Sequence, residues 1–199
     1  MRQQLSRLNR PCTEVYKKIL YSFVESGRIL ARHEIALLVD DIDAVLNELA
    51  VKGLIICDAK HNPSGAYPFT MQQRPHKIKV NDFTVHAMCA LDALAVSPMF
   101  NLPTDIESQC AISKMSIHII QHGKELHNAD DLHDVYFAIN WNAASTVSCC
   151  ADSLCNEMIF IKGQSLAKQW LEVENHNREL FTLTDAIDFA AAFFAPLLP

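Results

Sequence analysis

The stretch "LIICDAKHNPSGAYPFTM", from Leu54 to Met71, marks the point where the sequence changes from helical to strand-like patterning. It predicts a strand, a turn at the Asn-Pro-Ser-Gly of residues 62–65 and a second strand, since these residue types favour turns between apolar runs. Three segments with helical spacing precede it, over residues 14–26, 32–40 and 41–53. Three helices and a hairpin form the outline of a winged helix-turn-helix. We therefore predict such a domain over residues 1–74.

The charge of the third helix argues against DNA binding. In a winged helix this helix would read the bases, yet here it offers Asp40, Asp41, Asp43 and Glu48 against a lone Lys52. The whole chain of 199 residues has a formal charge of −6. Because phosphate backbones attract basic surfaces, we expect no nucleic-acid partner and favour a structural or dimerisation role for this domain.

From Pro75 onward strand-like segments alternate with helical ones. Alternating patterns predict strands over residues 76–82, 106–123, 134–141 and 156–163. Helices are predicted over residues 83–98, 165–173 and 182–194, the middle one capped by Ser165 and the last by Thr182 or Thr184. The fold class is therefore α+β, with a mostly antiparallel sheet and packed helices over residues 75–199.

Seven cysteines are present, an odd number: Cys12, Cys57, Cys89, Cys110, Cys149, Cys150 and Cys155. The amino terminus lacks the apolar core of a secretory signal, and no stretch is long enough to span a bilayer. We therefore expect a cytoplasmic protein with no membrane association, whose cysteines are thiols available for packing, metal binding or nucleophilic chemistry.

Cys89 and Asp92 are three residues apart in a segment that is otherwise apolar. Positions i and i+3 share one face of a helix, and the first turn of a helix favours a thiolate. A carboxylate among Leu91, Ala93 and Leu94 is costly to bury unless it is paired or functional. By spacing alone, an exposed aspartate beside a cysteine that only fills the core explains the pattern equally well.

Longer motifs around these residues support a functional interpretation. The run from Cys89 to Leu94, "CALDAL", resembles the Cys-Ala-x-Asp-(Thr or Ala)-Leu segment of organomercurial (alkylmercury) lyases. The later stretch "LCNEMIFIKGQSLAKQW", with Cys155, Asn156 and Trp170, is similar to that family's second cysteine motif. Cys110 is similar to the non-catalytic cysteine of that family, which implies a structural role. The resemblance implies a winged-helix-like amino-terminal unit as well.

Two alternatives exist for the second catalytic thiol. Some members of the family carry a Cys-Cys pair at this position, which Cys149 and Cys150 could represent. Cys155 is the better choice because the strand-like pattern that the family has follows it directly. Cys149 and Cys150 are then extra thiols, either in a loop or as auxiliary metal ligands.

The resemblance implies protonolysis of a carbon–mercury bond to a hydrocarbon and Hg(II). Cys89 and Cys155 would hold the mercury as thiolates, because soft sulfur prefers soft metals, and Asp92 would carry the proton. No organic cofactor or resident metal is expected. The partners would be a small organomercurial and, as acceptor of Hg(II), cellular thiols or mercuric reductase; the protein would be a monomer or homodimer. The competing hypothesis is a soft-metal (Hg, Cu or Zn) binding protein or a metal-responsive winged-helix regulator without turnover.

Overall fold

A computed structural model describes residues 8–145, 154–173 and 177–198 of the chain. Its α-helices are α1 (Arg10–Ser26), α2 (Arg32–Ile35), α3 (Ile42–Val51), α4 (Ala90–Phe100), α5 (Gln164–Glu172) and α6 (Leu183–Phe194). Short 3-10 turns cover Ala129–Leu132, Trp141–Ser145, Leu154–Glu157 and Ala195–Leu197. Among the described residues, no helix is both long and apolar enough to cross a bilayer.

The strands form two antiparallel sheets, which confirms the α+β class. The larger sheet contains β1 (Ile55–Cys57), β2 (Pro63–Ala66), β3 (Phe69–Thr70), β4 (Lys77–Val80), β5 (Phe83–Ala87), β6 (Pro103–Gln109), β7 (Ser116–His122) and β8 (Glu125–Leu126). Its strand order is β1-β2-β3-β5-β4-β6-β7-β8. The smaller sheet places β9 (Val135–Asn140) between β10 (Met158–Lys162) and β11 (Arg178–Thr182).

Helix α1 begins and ends at residues whose chemistry explains the boundaries. Asn9 caps its amino terminus by accepting a hydrogen bond from the backbone N–H of Cys12, and Pro11 occupies the first turn, where no N–H is needed. Gly27 ends it in the left-handed conformation, with a φ of 66°. The apolar face between these caps, which includes Ile19 and Phe23, is fully buried.

Three helices followed by the β1–β2 hairpin occur in the predicted order, but the turn covers residues 58–62 rather than 62–65, and Pro63–Ala66 form strand β2. The hairpin then extends into the larger sheet. Strand β3 pairs with β5 through Phe69 with Ala87 and Thr70 with His86. One sheet thus contains strands from both sides of residue 74, and one cluster of buried apolar side chains runs through both parts. The division into residues 1–74 and 75–199 stays a prediction.

The segment around Cys89 differs from the prediction of one helix over residues 83–98. Residues Phe83–Ala87 form strand β5, because β3 and β4 flank them and bury Val85 and Ala87. The helix begins only at Ala90 and continues past Pro98 to Phe100. A proline in the third turn does not end this helix; Asn101, with a φ of 52°, does.

Helix α4 lies at the centre of the molecule. Every residue from Ala90 to Ser97 is buried, and the helix packs against α6, β10 and the larger sheet. Such a helix has no solvent-facing stripe, so its apolar residues show no amphipathic periodicity. At its amino-terminal end Cys89 contacts Met158 of strand β10 in the smaller sheet, and both Cys89 and Asp92 are buried.

Three smaller predictions also need correction. Helix α5 begins at Gln164 with Gly163 at the N-cap position, so Ser165 is not the cap. The alternating segment over residues 106–123 is two strands, β6 and β7, separated by a turn that begins at Cys110. The sequence pattern does not predict strand β11. The cap of α6 is Thr182, one of the two residues predicted.

Candidate active site

Cys89 is the N-cap of helix α4. Its backbone is extended, with a φ of −149°, and its sulfur accepts a hydrogen bond from the backbone N–H of Asp92 at 3.4 Å. Serine, threonine, aspartate or asparagine usually has this role, since their oxygen atoms accept from the free N–H groups of the first turn. The capping geometry brings the Asp92 side chain, three residues on, back towards the sulfur.

Cys155 reaches the same carboxylate from a different part of the chain. It lies in the short 3-10 turn that leads into β10, and its sulfur is 3.9 Å from Asp92 Oδ2. Cys89 Sγ donates a hydrogen bond to that same oxygen at 2.9 Å. One ligand atom from each of the three residues lies within 4.8 Å of the others. Two sulfurs and one carboxylate oxygen therefore converge.

Burial controls the protonation of this group. Asp92 is 1% exposed, and desolvation raises its pKa from 3.8 to about 7, although hydrogen bonds from Cys89 and Cys155 oppose the rise. Burial also raises the pKa of the Cys89 thiol well above 9.0, and Cys155 and the Asp92 charge add to the effect. The site at rest thus contains a protonated Cys89, whereas the sequence predicted a thiolate. Desolvation outweighs the helix terminus here.

A cavity of about 270 Å³ opens beside the three residues. Cys89, Asp92 and Cys155 form part of its wall. The rest of the wall is aromatic or aliphatic and consists of Tyr67, Leu91, Trp141, Leu154, Met158, Phe189, Phe193 and Phe194. Such a space suits a small apolar group held against two sulfur atoms and a carboxyl group.

Comparisons with known proteins agree with this geometry. A family model described as MerB, alkylmercury lyase, matches residues 69–195, which contain the three convergent residues. This chain belongs to the alkylmercury lyase family. It is therefore an enzyme, a carbon–mercury lyase that cleaves organomercurials to a hydrocarbon and Hg(II). A search of curated proteins found no match.

The fold of this alkylmercury lyase is similar to a solved structure. A crystal structure of the mercury-bound form of MerB2 superimposes with a TM-score of 0.78 at 19% sequence identity. The match covers 98% of this chain and 95% of that chain. The similarity extends over the amino-terminal helices, beyond the 69–195 segment that the family model matches.

The donor set suits a soft metal as substrate. Two thiol sulfurs and one carboxylate oxygen prefer Hg(II) or Cu(I) to Mg²⁺ or Ca²⁺, which take oxygen ligands. The Met158 thioether lies 3.7 Å from Cys89 Sγ and adds a further soft atom. Within the described ranges, no other group of three His, Cys, Asp or Glu residues converges in this way.

Cys110 lies outside the cavity wall, at the end of β6. It is fully buried, and its sulfur accepts backbone hydrogen bonds from Ser113 at 3.4 Å and Lys162 at 3.3 Å. Burial raises the pKa of this thiol, but these N–H donors outweigh burial and lower the pKa overall. The bonds join the β6–β7 turn to β10. Cys149 and Cys150 lie outside the described residues.

The sequence did not indicate the aromatic residues of the cavity. Phe189, Phe193 and Phe194 belong to the run that predicted helix α6, but its face towards Cys89 depends on tertiary packing. Trp141 follows β9 directly, and no sequence signal marked it. Trp170, part of the second motif, instead packs against the Arg178 guanidinium at 4.7 Å.

Tyr16 links the amino-terminal helix α1 to the site. Its phenol is fully buried and donates a hydrogen bond to the Tyr67 carbonyl at 3.3 Å. Burial raises its pKa, and the nearby Asp92 charge raises it further, so the phenol stays neutral. Helix α1 thus helps to form the low-dielectric surroundings that keep the Asp92 pKa high.

Proposed function

We propose that Cys89, Asp92 and Cys155 carry out the carbon–mercury cleavage of this lyase. One observation carries the proposal: two thiols contact the same oxygen of a buried carboxyl group, beside a cavity with apolar walls. The thiols would bind the metal, the carboxyl group would transfer the proton, and the cavity would hold the organic group.

Mercury binding is the first step. When R–Hg⁺ binds the Cys89 sulfur, the metal lowers the pKa of the thiol so far that its proton leaves. Asp92 Oδ2, already hydrogen-bonded to that sulfur at 2.9 Å, accepts this proton. Cys155 then adds as a second sulfur ligand, and its proton leaves to solvent. Electron density rises on the carbon, which weakens its bond to mercury.

Proton delivery completes the reaction. The neutral Asp92 carboxyl group donates its proton to the carbon, and the bonding electron pair stays with the carbon. A pKa of about 7 allows both transfers near neutral pH. The products are R–H and Hg(II) bound to Cys89 and Cys155. Mercury remains Hg(II) throughout, so the balance requires no electron carrier or other cofactor.

Partners and location follow from this chemistry. The substrate is a small organomercurial, and cellular thiols or mercuric reductase would take the Hg(II) product. A cytoplasmic location agrees with the five described cysteines, all of which are free thiols. We further propose an amino-terminal winged-helix-like unit (1–74), a catalytic unit (75–199), and a monomer or homodimer.

Hydrocarbon release tests the proposal. Reduced protein with phenylmercury or methylmercury and excess thiol should release benzene or methane. The variants Cys89→Ala, Asp92→Ala and Cys155→Ala should release only the uncatalysed amount. Cys57→Ala is the matched control, because it removes a half-buried thiol on strand β1, distant in sequence from all three residues. Wild-type release no faster than that of the three variants would overturn the proposal and favour passive metal binding.

A further inference from the structure

A second cavity, of about 170 Å³, lies against Cys155 and is distinct from the apolar one. Cys155 lines both cavities, whereas Cys89 and Asp92 line only the apolar one. The other polar residues on the wall of the second cavity are Arg74, His76, Gln109, Lys114 and Asn156, and apolar residues form the rest. The Cys155 thiol therefore lies between an apolar space and a second space whose wall contains both charged and apolar side chains.

Two positive charges border the second cavity without a nearby counter-charge. The Arg74 guanidinium donates to two neutral amides, Asn156 Oδ1 at 3.3 Å and Gln72 Oε1 at 3.1 Å. The Lys114 ammonium donates to the Ala111 carbonyl at 2.8 Å. No carboxylate among the described residues lies within 4.0 Å of either cation. Both groups are thus available to an anion.

His76 does not contribute to this charge. It is 8% exposed, and its Nδ1 lies 2.8 Å from Ser108 Oγ. Burial and, to a lesser extent, the Arg74 charge lower its pKa to about 4, so the imidazole is neutral. The positive charge of the cavity therefore comes from Arg74 and Lys114.

We propose that the second cavity binds the carboxylate of an anionic thiol that removes Hg(II) from Cys155. The inference rests on the proposed function, because it concerns the release of its product. The uncharged organic group of the substrate is not attracted to two cations, whereas the carboxylate of an acceptor thiol is opposite to them in charge. Arginine also binds carboxylates through two parallel hydrogen bonds.

The exchange balances without oxidation or reduction. The incoming thiol bonds to mercury through its sulfur, the bond between mercury and Cys155 breaks, and the proton of the thiol passes to the Cys155 sulfur. A second thiol displaces Cys89 in the same way. In total, one mercury bound to two cysteines and two acceptor thiols give Hg(SR′)₂ and two protonated cysteines.

A larger groove beside this cavity extends the space available to the acceptor. It measures about 540 Å³ and shares Arg74, Pro75 and Gln109 with the second cavity. Lys77 and Glu107 lie further along it. The groove has space for the further groups of a peptide-sized acceptor thiol.

The test compares thiols of similar size and different charge. Reduced protein is loaded with one equivalent of Hg(II) from mercuric chloride. Mercury transfer to thioglycolate, which is anionic, and to neutral 2-mercaptoethanol is followed by rapid filtration and metal analysis. The ratio of the rate constant for thioglycolate to that for 2-mercaptoethanol should fall about fivefold in Arg74→Gln. It should fall by about the same factor in Lys114→Gln, because this is the effect of one contact between unit charges in water.

Lys79→Gln is the matched control, since it removes one positive charge from an exposed position on β4 that borders neither cavity. Its ratio should equal that of wild type, and salt should reduce the wild-type ratio. An unchanged ratio in Lys114→Gln and Arg74→Gln, or an equal fall in Lys79→Gln, overturns the inference. Hydrocarbon release by wild type in a single turnover tests the proposed function separately.

Discussion

The sulfur of Cys89 donates a hydrogen bond to Asp92 Oδ2 at 2.9 Å, and the Asp92 backbone N–H donates back to that sulfur at 3.4 Å. One helix cap thus fixes the distance between a metal ligand and the carboxyl group that takes its proton. The arrangement is local, because both residues belong to the first turn of the same helix. The second thiol arrives from elsewhere in the chain.

Asp92→Asn separates mercury binding from cleavage. Asparagine has nearly the same shape but cannot accept and return a proton, so hydrocarbon release should fall by about a hundredfold to ten-thousandfold. Both cysteines remain, so stoichiometric binding of Hg(II) should persist. Asp188→Asn, at an exposed position on α6, is the control. Release by Asp92→Asn within threefold of wild type would exclude Asp92 as the proton carrier.

The stability of the mercury-free protein should depend on pH through Asp92. Below pH 3.8 the carboxyl group is protonated in both the folded and the unfolded chain, so it has no effect. Between pH 3.8 and about 7 the folded state keeps a proton that the unfolded state has lost, so stability falls as pH rises. Above pH 7 the carboxylate is ionised in both states, and its burial lowers the free energy of unfolding by the full amount, up to about 4 kcal/mol.

Urea unfolding of reduced wild type and Asp92→Asn, measured from pH 4 to pH 8, tests whether stability falls as pH rises. The stability of the variant relative to wild type should increase with pH and level off above about pH 7. Asp188→Asn should follow wild type closely, because it removes only an exposed ion pair with Lys124, and such pairs contribute little to stability. A difference that is constant with pH would mean that Asp92 ionises at its ordinary pKa.

Substitution distinguishes Cys155 from the pair Cys149 and Cys150 as the second mercury ligand. Cys155→Ser should reduce hydrocarbon release about as strongly as Asp92→Asn, because groups that act as one unit give similar losses. The double variant Cys149→Ser/Cys150→Ser should stay close to wild type under excess thiol. The reverse result would assign the second mercury ligand to the pair.

Two glycines with the same backbone conformation should differ in their tolerance of alanine. Gly27 and Gly53 both have a φ of 66°, which costs about 1–2 kcal/mol for a residue with a Cβ. A Cβ at Gly27 would also lie 2.9 Å from the Phe83 side chain, whereas none at Gly53 meets an atom within 4 Å. Gly27→Ala should therefore lower the urea midpoint more than Gly53→Ala. Equal shifts would mean that Phe83 moves away without cost.

Local sequence predicted the parts of the site that depend on local geometry. The three-residue spacing of Cys89 and Asp92 predicted their contact, and the strand pattern after Cys155 favoured it over Cys149. The start of α4 was placed too early, because β5 has an apolar composition that resembles a helix until its partners β3 and β4 are known. Whether residues 83–87 form a strand depends on their pairing with β3 and β4, and the sequence of this one segment gives no information about those partners.

The cavities could not be predicted, because their walls come from distant segments. Phe193 faces Cys89 only because α6 packs against α4, and Arg74 reaches Asn156 across 82 residues of sequence. The sequence favours a thiolate at Cys89, whereas the pKa of this thiol is raised, and the reason is related. The helix terminus is visible in sequence, whereas the desolvation that outweighs it arises only when α4 is buried on all sides.

Phe193 should influence which organomercurials the enzyme prefers. Its ring lines the apolar cavity yet is 40% exposed, so its removal disturbs the core little. Phe193→Ala should lower kcat/KM for phenylmercury about fivefold to thirtyfold, because an aryl group loses about 1–2 kcal/mol of apolar contact. Methylmercury, which is too small to fill the cavity, should change less than about twofold. Leu171→Ala, at an exposed apolar position on α5 that borders no cavity wall near Cys89, should affect neither substrate. Equal losses for both substrates would mean that Phe193 supports the three reacting residues themselves.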